Sequence, residues 1–192
     1  MENEEPVISL DLPPQSPLSA ETQAYFDKCE EKLGLVPNVL RAYAFDEAKL
    51  RKFTDFYNEV MLADSDLSKL EREMIAVVVS AANRCHYCVV AHGASVRVLS
   101  GDAALGDTLA VNYRAAGLSS RHRAMLDHAW TLTVRPHDCG PAAEQALRDA
   151  GFADRAIWDI VAVTAFFNMT NRVASATKMQ PNAQYYGMGR KS

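Results

Sequence analysis

Four reactive side chains lie within a short stretch of this sequence: Cys85, His86, Cys88 and His92. Cys85 and Cys88 form a Cys-x-x-Cys pair, and His92 follows the second cysteine by four residues. On a helix, positions 85, 88 and 92 share one face, because they are related as i, i+3 and i+7. A dithiol beside an imidazole can cycle between thiols and a disulfide, or it can supply ligands to a metal ion. The residue types leave both interpretations open.

A carboxylate precedes this motif: Glu73 begins an otherwise apolar stretch and lies twelve residues before Cys85. On one straight helix that separation is about 18 Å, which is too far for contact. A break at Asn83-Arg84 would let the chain fold back and start a new helix at Cys85. The unpaired N–H groups of its first turn favour a thiolate and lower a cysteine pKa below its free value of about 8.5. Glu73 would then orient His92, which would exchange a proton with a thiol.

The elements that must position these groups have the pattern of helices. Asp46 is a natural N-cap for an amphipathic stretch, and Ser68 with Glu71 forms a capping box ahead of the apolar segment. No convincing alternation of period two occurs, so we predict an all-α protein. Helices are expected from residues 19–22 to 34, from 37, after 46, over 69–82 and 85–100, and over 103–115, 119–133, 141–150 and 153–178.

Length and composition indicate a single globular domain. The chain has 192 residues, of which 48% are hydrophobic and 23% charged, and its net charge is −4, which gives no basic footprint for nucleic acid. Residues 1–20 contain four prolines, so we expect an extended N-terminal arm followed by one helical domain over 21–192. The acidic start leads into no apolar segment, and no apolar run approaches the ~20 residues of a membrane span. We therefore expect a cytoplasmic protein with neither nucleic-acid nor membrane partners.

A zinc site is the main alternative to redox chemistry. Cys85, Cys88 and His92, joined by His86 or Glu73, could supply four ligands. Zinc fingers and ribbons usually bring a second ligand pair from a separate segment, and three ligands on one helix face form a poor tetrahedral cage. The remaining cysteines and histidines are dispersed: Cys29, His122, His128, His137 and Cys139. We expect neither a metal nor a cofactor. A second alternative is a redox-sensing or structural oligomer without turnover.

The spacing Glu73-x11-Cys85-x2-Cys88-x3-His92 resembles the signature of the AhpD-like alkylhydroperoxidases within the carboxymuconolactone decarboxylase family. The resemblance covers roughly residues 34–180 and is strongest to the branch of peroxidase-related proteins. Three flanking stretches also match: Val36-Pro37-Asn38-Val39-Leu40, Leu67-Ser68-x-x-Glu71-Arg72 and Phe167-Asn168-x-x-Asn171-Arg172.

The resemblance implies a multihelical AhpD-like domain that assembles into homo-oligomers: trimers, hexamers or dimers. It also implies a thiol peroxidase cycle, in which Cys88 attacks a hydroperoxide and becomes a sulfenic acid. Cys85 then resolves the sulfenic acid as a disulfide, and an external dithiol reductant reopens it. Glu73 and His92 are implied to relay protons to the peroxidatic thiol. The decarboxylases of the family act on a lactone without a cofactor and generally lack the cysteine pair, which argues against that activity here.

One position departs from the family pattern. The best-known alkylhydroperoxidases carry a further relay histidine immediately before the second cysteine, where this chain has Tyr87. Its own histidine, His86, lies one residue earlier, and one residue turns a helical side chain by about 100°. His86 and Tyr87 are therefore candidates for an accessory role only, and we expect Tyr87 to be a packing residue.

Overall fold

The computed structural model describes residues 6–190, and within them every regular element is a helix. The all-α prediction is therefore confirmed. The α-helices, α1 to α9 in chain order, are Ala20–Leu33, Asn38–Tyr43, Glu47–Met61, Lys69–Ala82, His86–Ser100, Ala103–Asn112, Ser120–Val134, Pro141–Asp149 and Asp154–Ala176. Short 3₁₀ turns cover Tyr113–Ala115, Pro136–Asp138 and Ala183–Tyr186. In this described part of the chain, no helix combines the length and the apolar character needed to cross a bilayer.

The helix starts follow the capping residues that the sequence contains. The side chain of Asp46 accepts hydrogen bonds from the first N–H groups of α3. Ser68 and Glu71 form the predicted capping box of α4: Oγ of Ser68 accepts from Glu71 N at 3.2 Å, and Oε2 of Glu71 accepts from Ser68 N at 2.8 Å. Gly34 ends α1 in the left-handed region, with φ of 70°. Each cap satisfies backbone groups that the helix itself leaves unpaired.

Helix α4 is the centre of the molecule. All its residues from 71 to 80 are buried, and it packs against α5, α6, α7 and α9. Three consecutive valines in this segment favour a strand by propensity. A helix that is enclosed on every side can be apolar all round, so tertiary packing resolves the conflict in favour of the helix. The core around α4 includes Ile75, Val77, Met125, Ile160 and Phe166.

The N-terminal arm packs against the end of the same chain, after α9. Residues 6–19 form neither helix nor strand, and backbone hydrogen bonds join Ser9 N to Thr177 O at 2.7 Å and Gln180 N to Val7 O at 2.9 Å. Residues 1–5 of the predicted arm, and 191–192 of the predicted helical domain, lie outside the described residues. The arm therefore packs against the chain that follows α9.

That following chain, residues 177–190, is called here the C-terminal segment. It crosses α5 and is held there by Arg97, a residue that is only 5% exposed. The guanidinium donates to Tyr185 O at 2.6 Å and to Met188 O at 2.9 Å. A second contact is a bidentate ion pair between Arg190 and Asp107, with both distances 2.8 Å. The sequence pattern did not predict this segment, because it has no helical periodicity.

Candidate active site

The predicted break between α4 and α5 is present and creates the site. Asn83 is the C-cap of α4, and Arg84 adopts a left-handed conformation with φ of 54°. Cys85 is the N-cap of α5, and its backbone N–H donates to Ser80 O at 2.9 Å. Because the chain reverses here, α5 runs back along α4, and residues far apart along α4 and α5 become neighbours.

Glu73 of α4 meets His92 of α5 as a result. Nδ1 of His92 donates to Oε2 of Glu73 at 2.6 Å, and the two side chains are only 13% and 10% exposed. The edge of Phe167 packs on the imidazole, with ring centroids 4.6 Å apart. A carboxylate on one ring nitrogen fixes the orientation and tautomer of a histidine, so Nε2 becomes the nitrogen that can exchange a proton.

Cys85 and Cys88 are free thiols, and both are buried. The pKa of Cys85 is lowered to about 6, chiefly because the Cys88 thiol donates a hydrogen bond to it, helped by the backbone N–H of Cys88 and the hydroxyl of Ser175. The same hydrogen bond raises the pKa of Cys88, and burial raises it further. The pair therefore holds one negative charge and one shared proton near neutral pH.

Polar side chains from α4 and α9 surround the second sulfur. Asn171 and Ser80 hydrogen-bond to Cys88 and favour its thiolate, which opposes the effect of burial on its pKa. Nδ2 of Asn171 also donates to Oγ of Ser80 at 3.0 Å. Nδ2 of Asn83 donates to the amide oxygens of Asn168 and Asn171, each at 3.0 Å. This network fastens the turn before α5 to α9 and positions the dithiol.

A cavity of about 930 Å³ opens onto Cys88, Glu73 and His92. Cys85 is not among the residues that line it. The walls of the cavity are mainly aromatic and aliphatic side chains from α2, α3, α5 and α9 and from the C-terminal segment. Among them are Phe53, Tyr57, Phe166, Phe167 and Tyr185. A pocket of this size accommodates an organic molecule rather than only a small inorganic one.

The two accessory candidates have different surroundings. Tyr87 is buried, and its hydroxyl accepts a hydrogen bond from Val39 N at 3.0 Å. Burial raises the pKa of Tyr87, so it stays a neutral phenol. His86 is exposed, and its Nε2 lies 3.0 Å from the Tyr186 hydroxyl. The structure therefore brings together Cys85, Cys88, His92 and Glu73 and leaves His86 on the surface.

Sequence analysis did not identify several residues of this site. Ser80 is the one hydroxyl in the apolar stretch after Met74, and that was the available signal. The sequence signal for Phe167 and Asn171 is limited to the flanking stretch that resembles the family. Nothing in the sequence pointed to Tyr185, which reaches the site from the C-terminal segment. As for the zinc alternative, residues 6–190 contain no group of three or more His, Cys, Asp or Glu side chains suited to hold a metal ion.

The family model for the carboxymuconolactone decarboxylase family matches residues 47–102. A comparison with curated protein sequences finds no significant match.

Two solved structures are similar over almost the whole chain. An uncharacterized peroxidase-related protein from Silicibacter sp. TM1040 is 58% identical, with a TM-score of 0.95 over 99% of this chain and 100% of its own. Another, from Ralstonia eutropha JMP134 and described as having an alkylhydroperoxidase AhpD core, is 40% identical, with a TM-score of 0.93 over 98% and 99%. The debrominase Bmp8 is 18% identical, with a TM-score of 0.76 over 92% and 94%, a likeness of fold alone.

Proposed function

This chain belongs to the AhpD-like proteins of the carboxymuconolactone decarboxylase family, and on that basis we propose that it reduces organic hydroperoxides through a dithiol–disulfide cycle. The observation that carries the proposal is the meeting of a thiol, Cys88, and a carboxylate–imidazole pair, Glu73 and His92, at one organic-sized cavity. The peroxidase-related relatives support the same reaction class. The cycle needs no cofactor beyond an external dithiol reductant.

In the first step, the Cys88 sulfur attacks the terminal oxygen of the hydroperoxide. The O–O bond breaks, Cys88 becomes a sulfenic acid, and the alcohol leaves after it has gained a proton. His92 accepts the thiol proton and returns it to the departing oxygen, while Glu73 stabilises the imidazolium that forms in between. The net change is one thiol and one hydroperoxide converted to one sulfenic acid and one alcohol.

In the second step, the Cys85 thiolate attacks the sulfenic sulfur of Cys88. A disulfide forms, and the hydroxyl leaves as water after it has gained a proton. The lowered pKa of Cys85 suits this role, because it keeps the resolving sulfur ionised near neutral pH. An external dithiol then reduces the disulfide and returns both cysteines to the thiol state.

The assignment of Cys88 as the peroxidatic residue rests on access. Cys85 is the more acidic thiol, but only Cys88 opens onto the cavity through which a hydroperoxide can arrive. The Cys88 thiolate forms when its proton passes to His92, while Cys85 stays ionised for the second step. Asn171 and Ser80 then stabilise that thiolate by hydrogen bonds.

We also propose that the chain forms a homo-oligomer. Several aliphatic side chains are exposed around the cavity, and a second copy of the chain would cover them: Leu33, Leu62, Val98 and Leu99. Exposed apolar groups of this kind mark association surfaces. Analytical ultracentrifugation should give a dimer, trimer or hexamer, and a monomer at micromolar concentration would contradict the proposal.

The peroxidase proposal is tested by consumption of cumene hydroperoxide with dithiothreitol as reductant. Wild-type protein should turn over, Cys88→Ser should abolish turnover, and Cys85→Ser should allow one oxidation of Cys88 without efficient recycling. Cys139→Ser is the matched control, because this thiol does not line the cavity. Absence of turnover in the wild type would refute the peroxidase proposal. Stoichiometric oxidation without turnover would instead identify a redox sensor.

A further inference from the structure

The two sulfurs of the dithiol differ in access from outside the protein. Both cysteines are buried in one small apolar cluster, with Cys85 1% and Cys88 3% exposed, but Cys88 lines the cavity and Cys85 does not. That cluster includes Ile8 of the N-terminal arm and Met179 of the C-terminal segment. We infer that the thiol that regenerates the enzyme enters through the cavity and attacks the Cys88 sulfur of the disulfide, so that Cys88 carries the mixed disulfide and Cys85 leaves. This inference rests on the proposed dithiol–disulfide cycle.

Two segments of the chain pack against the cluster that contains the cysteines. The N-terminal arm and the C-terminal segment are joined over this region by the backbone hydrogen bonds of Ser9 with Thr177 and of Gln180 with Val7. Tyr185 also packs against this cluster, and it lines the cavity. Thiol–disulfide exchange is sensitive to which sulfur an incoming thiolate can reach. The open cavity on the Cys88 side therefore determines the sulfur that is attacked.

The surroundings of Cys85 also make it the better leaving group. A thiol of lower pKa leaves faster in disulfide exchange. The Cys88 thiol is the first cause of the lowered pKa of Cys85 and is lost once Cys88 is bound, but the backbone N–H of Cys88 and the hydroxyl of Ser175 lower that pKa as well. The backbone N–H of Cys88 and the hydroxyl of Ser175 both remain available when the Cys88 sulfur is bonded to the incoming thiol. Both can therefore stabilise the Cys85 thiolate as the disulfide opens. The helix α5 N-terminus adds a favourable dipole at the same position.

The exchange balances with a dithiol as the reductant. Its first thiolate forms a bond to the Cys88 sulfur, and the bond between Cys85 and Cys88 breaks to release the Cys85 thiolate. Its second thiolate then attacks the sulfur that the reductant contributed, closes a disulfide within the reductant and expels Cys88. Cys88 takes up a proton, for which His92 lies one helical turn away. The protein gains two electrons, and the reductant loses two.

The sulfur that is attacked can be located directly. The disulfide is first formed with diamide, so that the experiment does not depend on peroxide turnover. It is then exposed briefly to 2-mercaptoethanol and quenched with N-ethylmaleimide. Trypsin cleaves after Arg84 and Arg97, so both cysteines lie in one peptide, and fragment ions between Cys85 and Cys88 separate the two positions.

The expected product carries mercaptoethanol on Cys88 and maleimide on Cys85, in at least about tenfold excess over the reverse product, since access and leaving-group pKa act in the same direction. Equal amounts, or an excess of the reverse product, would overturn the inference. Because diamide forms the disulfide, either result is obtained whether or not the protein consumes hydroperoxides. Failure of the inference is thereby distinguishable from failure of the proposed function.

A pair of surface variants tests the route of entry. Val173 lines the cavity, is 36% exposed and is not among the side chains assigned to the oligomer surface, so Val173→Trp adds bulk at the cavity. It should slow reduction of the disulfide by 2-mercaptoethanol several-fold. Val111→Trp is the matched control, because Val111 is 89% exposed and does not line the cavity. Equal rates for the two variants and the wild type would contradict entry through the cavity.

Discussion

Gly189 lies where the C-terminal segment packs directly on α5. It has φ of 71°, and a Cβ at this position would lie 2.6 Å from Cβ of Arg97 and 2.9 Å from the backbone N of Val98. Distances this short cannot be relieved by a side-chain rotation, because one of the neighbours is the backbone of α5. The change Gly189→Ala must therefore move the segment away from the helix.

The magnitude follows from what that movement disrupts. A side chain in the left-handed region costs roughly 1–2 kcal/mol. The displaced segment also loses the hydrogen bonds of Arg97 to the carbonyls of Tyr185 and Met188. Hydrogen bonds to a charged group contribute about 1.5–3 kcal/mol each. These costs fall on a segment at the edge of the structure, so we expect local detachment rather than unfolding of the core around α4.

Hydrogen exchange and cysteine alkylation measure this outcome together. In Gly189→Ala, the amide of Gln180, which donates to Val7 O, should lose protection, and Cys85 should react faster with iodoacetamide. Gly117→Ala is the control, because its Cβ meets nothing within 4 Å and its φ is not in the left-handed region. Unchanged exchange over residues 180–190 together with unchanged alkylation of Cys85 would refute the role assigned to the segment.

Three further predictions concern the site and the turn before it. Glu73→Gln should lower peroxidase turnover by roughly 10²-fold with an unchanged circular dichroism spectrum, because general acid–base catalysis contributes on that order; an effect below threefold would argue against a relay. Ultraviolet titration of the reduced protein should show one thiolate, that of Cys85, forming with a midpoint at a pH of about 6, while the raised pKa of Cys88 keeps that thiol protonated. The transition should be absent in Cys85→Ser. A single midpoint near the pKa of a free thiol would contradict this prediction. Arg84→Gly should raise the free energy of unfolding by about 0.5 kcal/mol in urea denaturation, because relief of the left-handed strain outweighs the added entropy of glycine; destabilisation would show that the Arg84 side chain contributes more than its strain costs.

The parts of the structure that local sequence controls were predictable. The capping box at Ser68, the break at Asn83-Arg84 and the approach of Glu73 to His92 depend on residues close in sequence or on one chain reversal. The cavity and the C-terminal segment were not, because they depend on contacts between parts of the chain more than 80 residues apart, such as Arg97 with Tyr185. A buried arginine leaves no periodic signal that would indicate its partner.

The same contacts give a physical meaning to the position at which this chain departs from the family pattern. The Tyr87 hydroxyl accepts from the N–H of Val39 on α2, and a histidine at position 87 would be too short to keep that contact. Tyr87 belongs to the buried cluster that holds both cysteines, and Tyr185, whose carbonyl accepts from Arg97, packs against the same cluster. The tyrosine therefore joins α2 to the surroundings of the dithiol. In the cycle that we propose, it takes no part in proton transfer, which falls to His92 and Glu73.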